Sequence, residues 1–222
     1  MDIIIIIAGI VFLIGIVLYL YLRNVKKKIK KSRKEMSKKF KEAIKKDKID
    51  EKNEKGQTNL MVAILGKFEK SAKNMIEAGA DLSVEGSAGE RAIHLAAHNS
   101  SKKLVNILIN HGADINVKDE HGCSPLWYAA QNGKLDVCKL LINNGAKINI
   151  QDKEYTFTPL MIAAQNGNYK IVDLLINNGA DKNIETDDGK KAYDIGENML
   201  MHNIKRMKDK KVLLEDMVEK LK

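Results

Sequence analysis

Glycines that recur at a fixed spacing constrain the fold of this chain more than any other feature of its sequence. The glycine of one recurring pair is found at steps of 33, 33 and 34 residues, as Gly79, Gly112, Gly145 and Gly179. A second series keeps nearly the same steps, as Gly56, Gly89, Gly122, Thr156 in place of a glycine, and Gly189. Both series lengthen by one residue in the same interval, which locates an insertion between Asp152 and Thr156. A shared period of this length is the signature of stacked similar units.

The unit at 118–150 shows the parts of the repeat most clearly. Ser124, like Thr158 in the next unit, directly precedes a proline, which predicts an N-cap followed by the first helical position. Two alanines predict a short first helix that packs closely, and Gly133 separates it from a second helix. A Leu-Leu pair at helical spacing predicts that the second helix is amphipathic, and Gly145 ends it.

The sequences T-P-L-M-I-A-A and L-L-I-N-N-G-A, together with the 33-residue period, resemble the ankyrin repeat over residues 53–200. The resemblance implies an all-α fold, a solenoid of helix-turn-helix units with turn or hairpin connections. We expect units at 53–84, 85–117, 118–150 and 151–184, a partial cap at 185–200 and a C-terminal helix at 201–222. The helix is predicted from an apolar stripe made of Ile204, Met207, Leu214, Met217, Val218 and Leu221. The histidine of the family motif is kept only at His94, and we expect Trp127, which replaces it in the next unit, to be partly buried.

The N-terminus predicts a single transmembrane helix at residues 3–22. This segment of 20 residues carries no charge, and 15 of its side chains are Ile, Val, Leu or Phe. As a helix it is about 30 Å long, which matches the hydrocarbon core of a bilayer. A cleaved signal peptide is the alternative, but no basic residue precedes the segment and no small-residue cleavage site follows it. A buried core helix is a second alternative, although an apolar run of this length is rare in so small a domain.

A lysine-rich stalk, residues 23–52, is predicted to follow as a helix. Residues 23–48 hold 14 basic and 3 acidic side chains, a net charge of +11, whereas the whole chain carries +9. Because basic flanks stay in the cytoplasm, we expect a single-pass protein with its N-terminus outside and its repeats in the cytoplasm. The stalk suits a solvated spacer and also a contact for anionic lipid, and both roles can hold together. Nucleic-acid binding is a weaker alternative, since no aromatic side chains alternate with the lysines.

The sequence predicts no catalytic, cofactor or metal site, and therefore no enzyme. His94 and His98 lie one helical turn apart, but no third zinc ligand is evident. Cys138 takes a position that is valine in the neighbouring units, so we expect it in the core, whereas Cys123 lies on a turn and is expected to be more exposed.

The function is predicted to be that of a membrane-anchored scaffold or adaptor that binds an unidentified protein. The resemblance implies that partners meet the turn tips and the outward positions of the first helices, here Ser87, Ala88, Glu90, His98, Asn99, Glu120, His121, Cys123, Gln131, Asn132, Lys153, Glu154, Tyr155, Phe157, Gln165 and Asn166. Tyr155 and Phe157 rank first, because aromatic anchors dominate binding energy at interfaces; alternatively, the lengthened turn folds them onto its neighbours. A structural protein that oligomerises through anchor and stalk is the alternative function.

Overall fold

The computed structural model describes residues 2–45, 48–99, 101–203 and 211–222, with the side chains of 2–17, 202–203 and 211 left outside the description. The chain divides into two compact units, residues 1–47 and 48–222. Over the described ranges the secondary structure consists of eleven helices and no strand.

The first unit contains a single helix, α1, at Asp2–Lys45. Its basic part holds exposed ion pairs one turn apart, between Lys31 and Glu35 and between Lys38 and Glu42. In the part of the chain that the structure describes, no helix combines the length and the apolarity needed to cross a bilayer. The side chains of residues 3–17, on which the predicted transmembrane segment depends, lie outside that part.

The second unit is a series of helix pairs. The first helices of the pairs are α2 (Asn59–Leu65), α4 (Ala92–Asn99), α6 (Pro125–Gln131), α8 (Pro159–Gln165) and α10 (Ala192–Asn203). The second helices are α3 (Glu69–Glu77), α5 (Lys102–Asn110), α7 (Leu135–Asn143), α9 (Tyr169–Asn177) and α11 (Lys211–Leu221). Each first helix contacts the next first helix, and each second helix contacts the next second helix, so the pairs form two layers.

Local sequence explains where these helices begin and end. The hydroxyls of Thr58, Ser124 and Thr158 each accept a hydrogen bond from an amide three residues later, which caps α2, α6 and α8. A proline occupies the first turn of α6 and of α8, where no amide donor is needed. The caps and prolines predicted at Ser124 and Thr158 are therefore confirmed.

The core lies between the two layers. The alanine pairs of the first helices are buried without exception at 96–97, 129–130 and 163–164, and they permit close packing between neighbouring first helices. Leu141 and Leu175 of the second helices are also fully buried. Cys138 is also fully buried, which confirms its predicted place in the core.

The C-terminal helix packs on the stack. α11 contacts both α9 and α10, and it buries Leu214, Met217, Val218 and Leu221 of the predicted apolar stripe. Ile204 and Met207 of the same stripe lie outside the described residues. Because α10 and α11 repeat the first-and-second-helix arrangement of the other pairs, they form a fifth helix pair that closes this end of the core.

Candidate partner-binding site

Five turns project from the first helices, around Gly56, Gly89, Gly122, Thr156 and Gly189, and we number them first to fifth. Each of these residues has a positive φ, between 53° and 77°. The second and third turns are joined because the Glu120 amide donates to the Ala88 carbonyl at 3.1 Å. The Lys153 amide donates to the His121 carbonyl at 2.7 Å and joins the third turn to the fourth. Together with the exposed positions of the first helices, these turns form what we call the turn face.

Glycine permits the close approach of the second, third and fourth turns. A Cβ atom on Gly89 would lie 2.8 Å from the Glu120 amide nitrogen, and one on Gly122 would lie 3.0 Å from that of Lys153. Both distances are shorter than ordinary contact, so a side chain there would push the next turn away.

The fourth turn has Thr156 at this position and joins the fifth turn differently. The Thr156 hydroxyl accepts a hydrogen bond from the Asp187 amide at 2.8 Å and donates to the Tyr155 carbonyl at 2.7 Å. The second, third and fourth turns are joined by direct backbone hydrogen bonds, whereas here the Thr156 side chain bridges the Asp187 amide and the Tyr155 carbonyl. Threonine is unfavourable at φ 53°, because a β-branched residue is strained in the left-handed region.

The buried side chain of Asp152 holds the lengthened turn in place through hydrogen bonds. Its carboxylate is buried and accepts hydrogen bonds from the amides of Glu154, Tyr155 and Phe157 at 2.8–3.2 Å. It also accepts from the Trp127 indole nitrogen at 3.1 Å. Four donors to one carboxylate hold the backbone of this turn in a defined shape.

The lengthened turn presents two aromatic rings beside the fifth turn. Tyr155 is 59% exposed, Phe157 is half-buried, and their ring centroids lie 5.7 Å apart. The rings border an open cavity of about 280 Å³, which we call the aromatic notch. The notch is lined by Glu154, Tyr155, Phe157, Asp187, Asp188 and Lys190. The lengthened turn was predicted either to offer the two rings to a partner or to fold them onto its neighbours. Tyr155 is exposed to solvent, and Phe157 is partly covered.

The aromatic notch is acidic. Asp188 accepts from the Thr186 hydroxyl and pairs with Lys190 at 2.6 Å, and these contacts hold the pKa of its carboxyl below the usual value. Within the described residues, the carboxylates of Glu154 and Asp187 form no ion pair. A hydrogen bond to the Glu154 carboxylate, and the charge of that group, raise the pKa of the Tyr155 hydroxyl.

Most of the predicted partner-binding residues lie on the turn face. The exposed ones are Ser87, His98, Glu120, His121, Lys153, Glu154, Tyr155, Gln165 and Asn166. The half-buried ones are Ala88, Glu90, Asn99, Gln131, Asn132 and Phe157. The structure brings together Glu154, Tyr155 and Phe157 in the aromatic notch and distributes the others along the stack.

Cys123 was expected to be more exposed than Cys138, but it is buried as well. The residue is 5% exposed, although it directly follows the turn at Gly122. Its amide donates to the Asp119 carboxylate at 2.8 Å, and its carbonyl accepts from the Asp119 amide. Burial, assisted by the negative charge of Asp119, raises the pKa of the thiol to about 12. The thiol of Cys123 is thus protonated at neutral pH, and little of it is available for contact on the surface of the turn.

Sequence reasoning missed Tyr128 and the acidic residues of the fifth turn. Tyr128 is half-buried on α6, its hydroxyl donates to Asp119 at 2.6 Å, and its ring makes edge contacts with His98 and Trp127. The available signal was a tyrosine where the adjacent units have Leu95 and Ile162. Asp187 and Asp188 take the turn positions that Lys153 and Glu154 take one unit earlier, so the same alignment of units could have identified them.

The histidine and tryptophan of the family motif position have structural roles. His94 is buried; it accepts from the Arg91 amide at Nδ1, so Nε2 carries the proton and donates to the Val117 carbonyl. Trp127 is 7% exposed, and its indole nitrogen donates a hydrogen bond to the Asp152 carboxylate in the next turn. Across the described ranges, no three His, Cys, Asp or Glu side chains are grouped in a way that could hold a metal ion.

Comparison with known proteins agrees with the geometry of the stack. A family model described as ankyrin repeats (3 copies) matches residues 60–152 and 93–186, which together span more than half of the chain. No curated protein matches the chain significantly. The helix pairs, the capped first helices and the glycine turns account for this match, and the chain belongs to the ankyrin-repeat family.

Proposed function

We propose that the chain is a membrane-anchored, non-catalytic scaffold or adaptor that presents its ankyrin repeats to the cytoplasm and binds another protein through the turn face. The observation that carries this proposal is the exposure of Tyr155 beside Phe157 at the mouth of the aromatic notch. Neither the capping of the helices nor the core requires a ring at position 155, because Asp152 holds this turn through backbone amides.

An exposed tyrosine held on a fixed turn suits protein recognition. Tyrosine provides a large apolar area and a polar tip, and only two side-chain torsions must be ordered on binding. The surrounding turns of the repeats vary in sequence while their backbones are fixed by hydrogen bonds between units. Such a surface can be specific for one partner without any change in the fold that carries it.

The membrane anchor is proposed from the sequence of α1 and from its described part. Five consecutive large apolar side chains, at 18–22, are between 47% and 65% exposed, so protein contacts do not cover them. They directly precede Arg23, Lys26 and Lys27, which is the order of groups from hydrocarbon to headgroup at the cytoplasmic side of a membrane. On this proposal residues 3–22 span the bilayer, and the stalk separates the repeats from it or contacts anionic lipid.

Partner capture tests the proposed binding face. The full chain carrying a proximity-labelling tag is expected to label one protein or a few in its native membrane. Tyr155→Ala together with Phe157→Ala should reduce that labelling at least about tenfold, because an aromatic anchor contributes about 2 kcal/mol or more at an interface. Tyr169→Ala, which removes a half-buried ring from the second helix α9, is the matched control and should leave the labelling unchanged. Equal labelling by the double variant would contradict the assignment of this face.

Fractionation and protease protection test the anchor and its orientation. The full chain should remain with membranes after a high-salt wash, since an apolar helix does not depend on charge. Protease added outside intact cells should leave the repeats intact. Release of the full chain by salt alone, or digestion of the repeats from outside, would contradict the proposed anchor or its orientation, respectively.

A further inference from the structure

We propose that the aromatic notch binds an arginine side chain of the partner. This inference rests on the proposed function, because it names the chemistry by which the turn face recognises its partner. It combines three observations: two adjacent rings, two carboxylates without a cation partner in the described structure, and a cavity open to solvent at one end of the turn face.

The rings favour a planar cation. Tyr155 and Phe157 are inclined at 49° with their centroids 5.7 Å apart, and both line the cavity. A guanidinium group is flat and weakly hydrated, and it stacks on an aromatic face with less desolvation cost than an ammonium group.

The carboxylates supply the complementary charge. Glu154 lies beside Tyr155 on the fourth turn, and Asp187 approaches from the fifth turn, where its amide is fixed by Thr156. Asp188 is already engaged by Lys190, so the lining groups leave a net charge of −2. Lys153 precedes Glu154 but does not line the cavity. Two separate carboxylates match the several donors of a guanidinium group better than the single charge of a lysine.

The size of the notch supports a side chain as its occupant. About 280 Å³ lies just below the range in which proteins enclose small-molecule ligands, and the notch is open to solvent. The chain also belongs to a family that recognises proteins, so an arginine on a protein segment fits the notch better than a free metabolite does. The stalk of a second copy is a less suitable occupant, since only Arg23 and Arg33 among the 14 basic residues at 23–48 are arginines.

Fluorine NMR of the full chain in detergent, labelled with 3-fluorotyrosine, tests the inference. The chain has six tyrosines, and the Tyr155 signal is assigned by its loss in Tyr155→Phe. The probes are the Nα-acetyl methylamides of arginine, lysine and citrulline, added at constant pH and ionic strength. We expect the arginine probe to shift the Tyr155 signal saturably, with an apparent Kd about fivefold lower than that of the lysine probe. The uncharged citrulline probe should cause no saturable shift.

Charge-removing variants complete the test. Glu154→Gln and Asp187→Asn should each raise the apparent Kd for arginine about threefold, which is the range of exposed ion pairs. Glu120→Gln, which removes an exposed carboxylate from the third turn, is the control and should leave the apparent Kd unchanged. The signal of half-buried Tyr128, whose hydroxyl is bound to Asp119, verifies that each variant is folded.

Several outcomes would overturn the inference. Equal shifts with citrulline would mean stacking without charge recognition, and equal affinity for lysine would mean recognition of any cation. A Tyr155 signal that depends on protein concentration before a probe is added would assign the notch to a contact with a second copy of the chain. Loss of partner labelling in Tyr155→Ala with Phe157→Ala, but no response to arginine, would overturn this inference and leave the proposed function standing.

Discussion

At the scale of single residues, the position held by His94, Trp127 and Met161 in successive units makes a different hydrogen bond in each unit. His94 bonds to the Arg91 amide and the Val117 carbonyl, whereas Trp127 donates to the Asp152 carboxylate. Met161 accepts a weak hydrogen bond from the Thr158 amide through its sulfur. The position therefore accepts long side chains that bond to different partners, either at the start of the same helix or in the next turn, and does not require a histidine.

The histidine at this position makes stability depend on pH. Burial lowers the pKa of His94 from its usual 6.5, an effect only partly opposed by the charge of Asp119. Below pH 6.5 the unfolded chain binds a proton that the folded chain does not, so the free energy of unfolding should decrease as the pH falls through that value. We expect His94→Met, which installs the residue of the fourth unit, to weaken this dependence.

Urea unfolding of both proteins at about pH 7.5 and about pH 5.5 measures the difference. Carboxyl groups common to both proteins cancel when the two pH dependences are subtracted. An unchanged dependence in His94→Met would show that His94 does not govern the loss of stability in this range.

At the scale of elements, the fourth turn departs from its neighbours through one inserted residue. Sequence spacing located the insertion between Asp152 and Thr156 and singled out the two rings that flank Thr156. It did not predict that the Thr156 hydroxyl would take over the contact with Asp187, because that depends on how far apart the two turns stand. Nor did it predict that Cys123 would be buried, since the direction of a turn side chain follows from backbone torsions that residue types only bias.

Substitutions at Thr156 separate its hydrogen bonds from its backbone strain. Thr156→Val keeps the shape and the strain but removes the hydroxyl, so it should lower the free energy of unfolding by about 1 kcal/mol. Thr156→Gly also loses the hydroxyl but relieves the strain at φ 53°, so it should be more stable than the valine variant by about 1 kcal/mol. Urea unfolding gives both values. A valine variant as stable as the parent would show that the hydrogen bond to Asp187 contributes nothing.

At the scale of the whole molecule, the sequence predicted the ankyrin stack more completely than its ends. The period fixed the number and order of the central units, because each must bury its apolar face on a neighbour. The last unit had lost most of the motif after Gly189 and Ala192, so its pairing of α10 with α11 emerged only from packing. The acidic side of the aromatic notch was missed for a related reason, since it is assembled from two units.

The C-terminal helix should be a cap on which the whole stack depends. Leu214→Ala removes a side chain that is 1% exposed, and it should lower the free energy of unfolding by about 2–4 kcal/mol. Leu213→Ala is the adjacent control; its side chain is 42% exposed, so the change should stay within about 0.5 kcal/mol. Urea unfolding followed by circular dichroism compares the two variants. Equal effects would mean that α11 does not close the core.

Helix α1 has a further geometric consequence. It runs from Asp2 to Lys45 without an interruption, so its N-terminal and basic parts share one screw axis and a single angular phase. Inserting one residue near position 22 would rotate Val25, Ile29 and Met36 by about 100° around the helix axis relative to the segment before them. Inserting seven residues would nearly restore their original direction. The direction in which these apolar side chains point, relative to the N-terminal segment, therefore depends on the number of residues between the two.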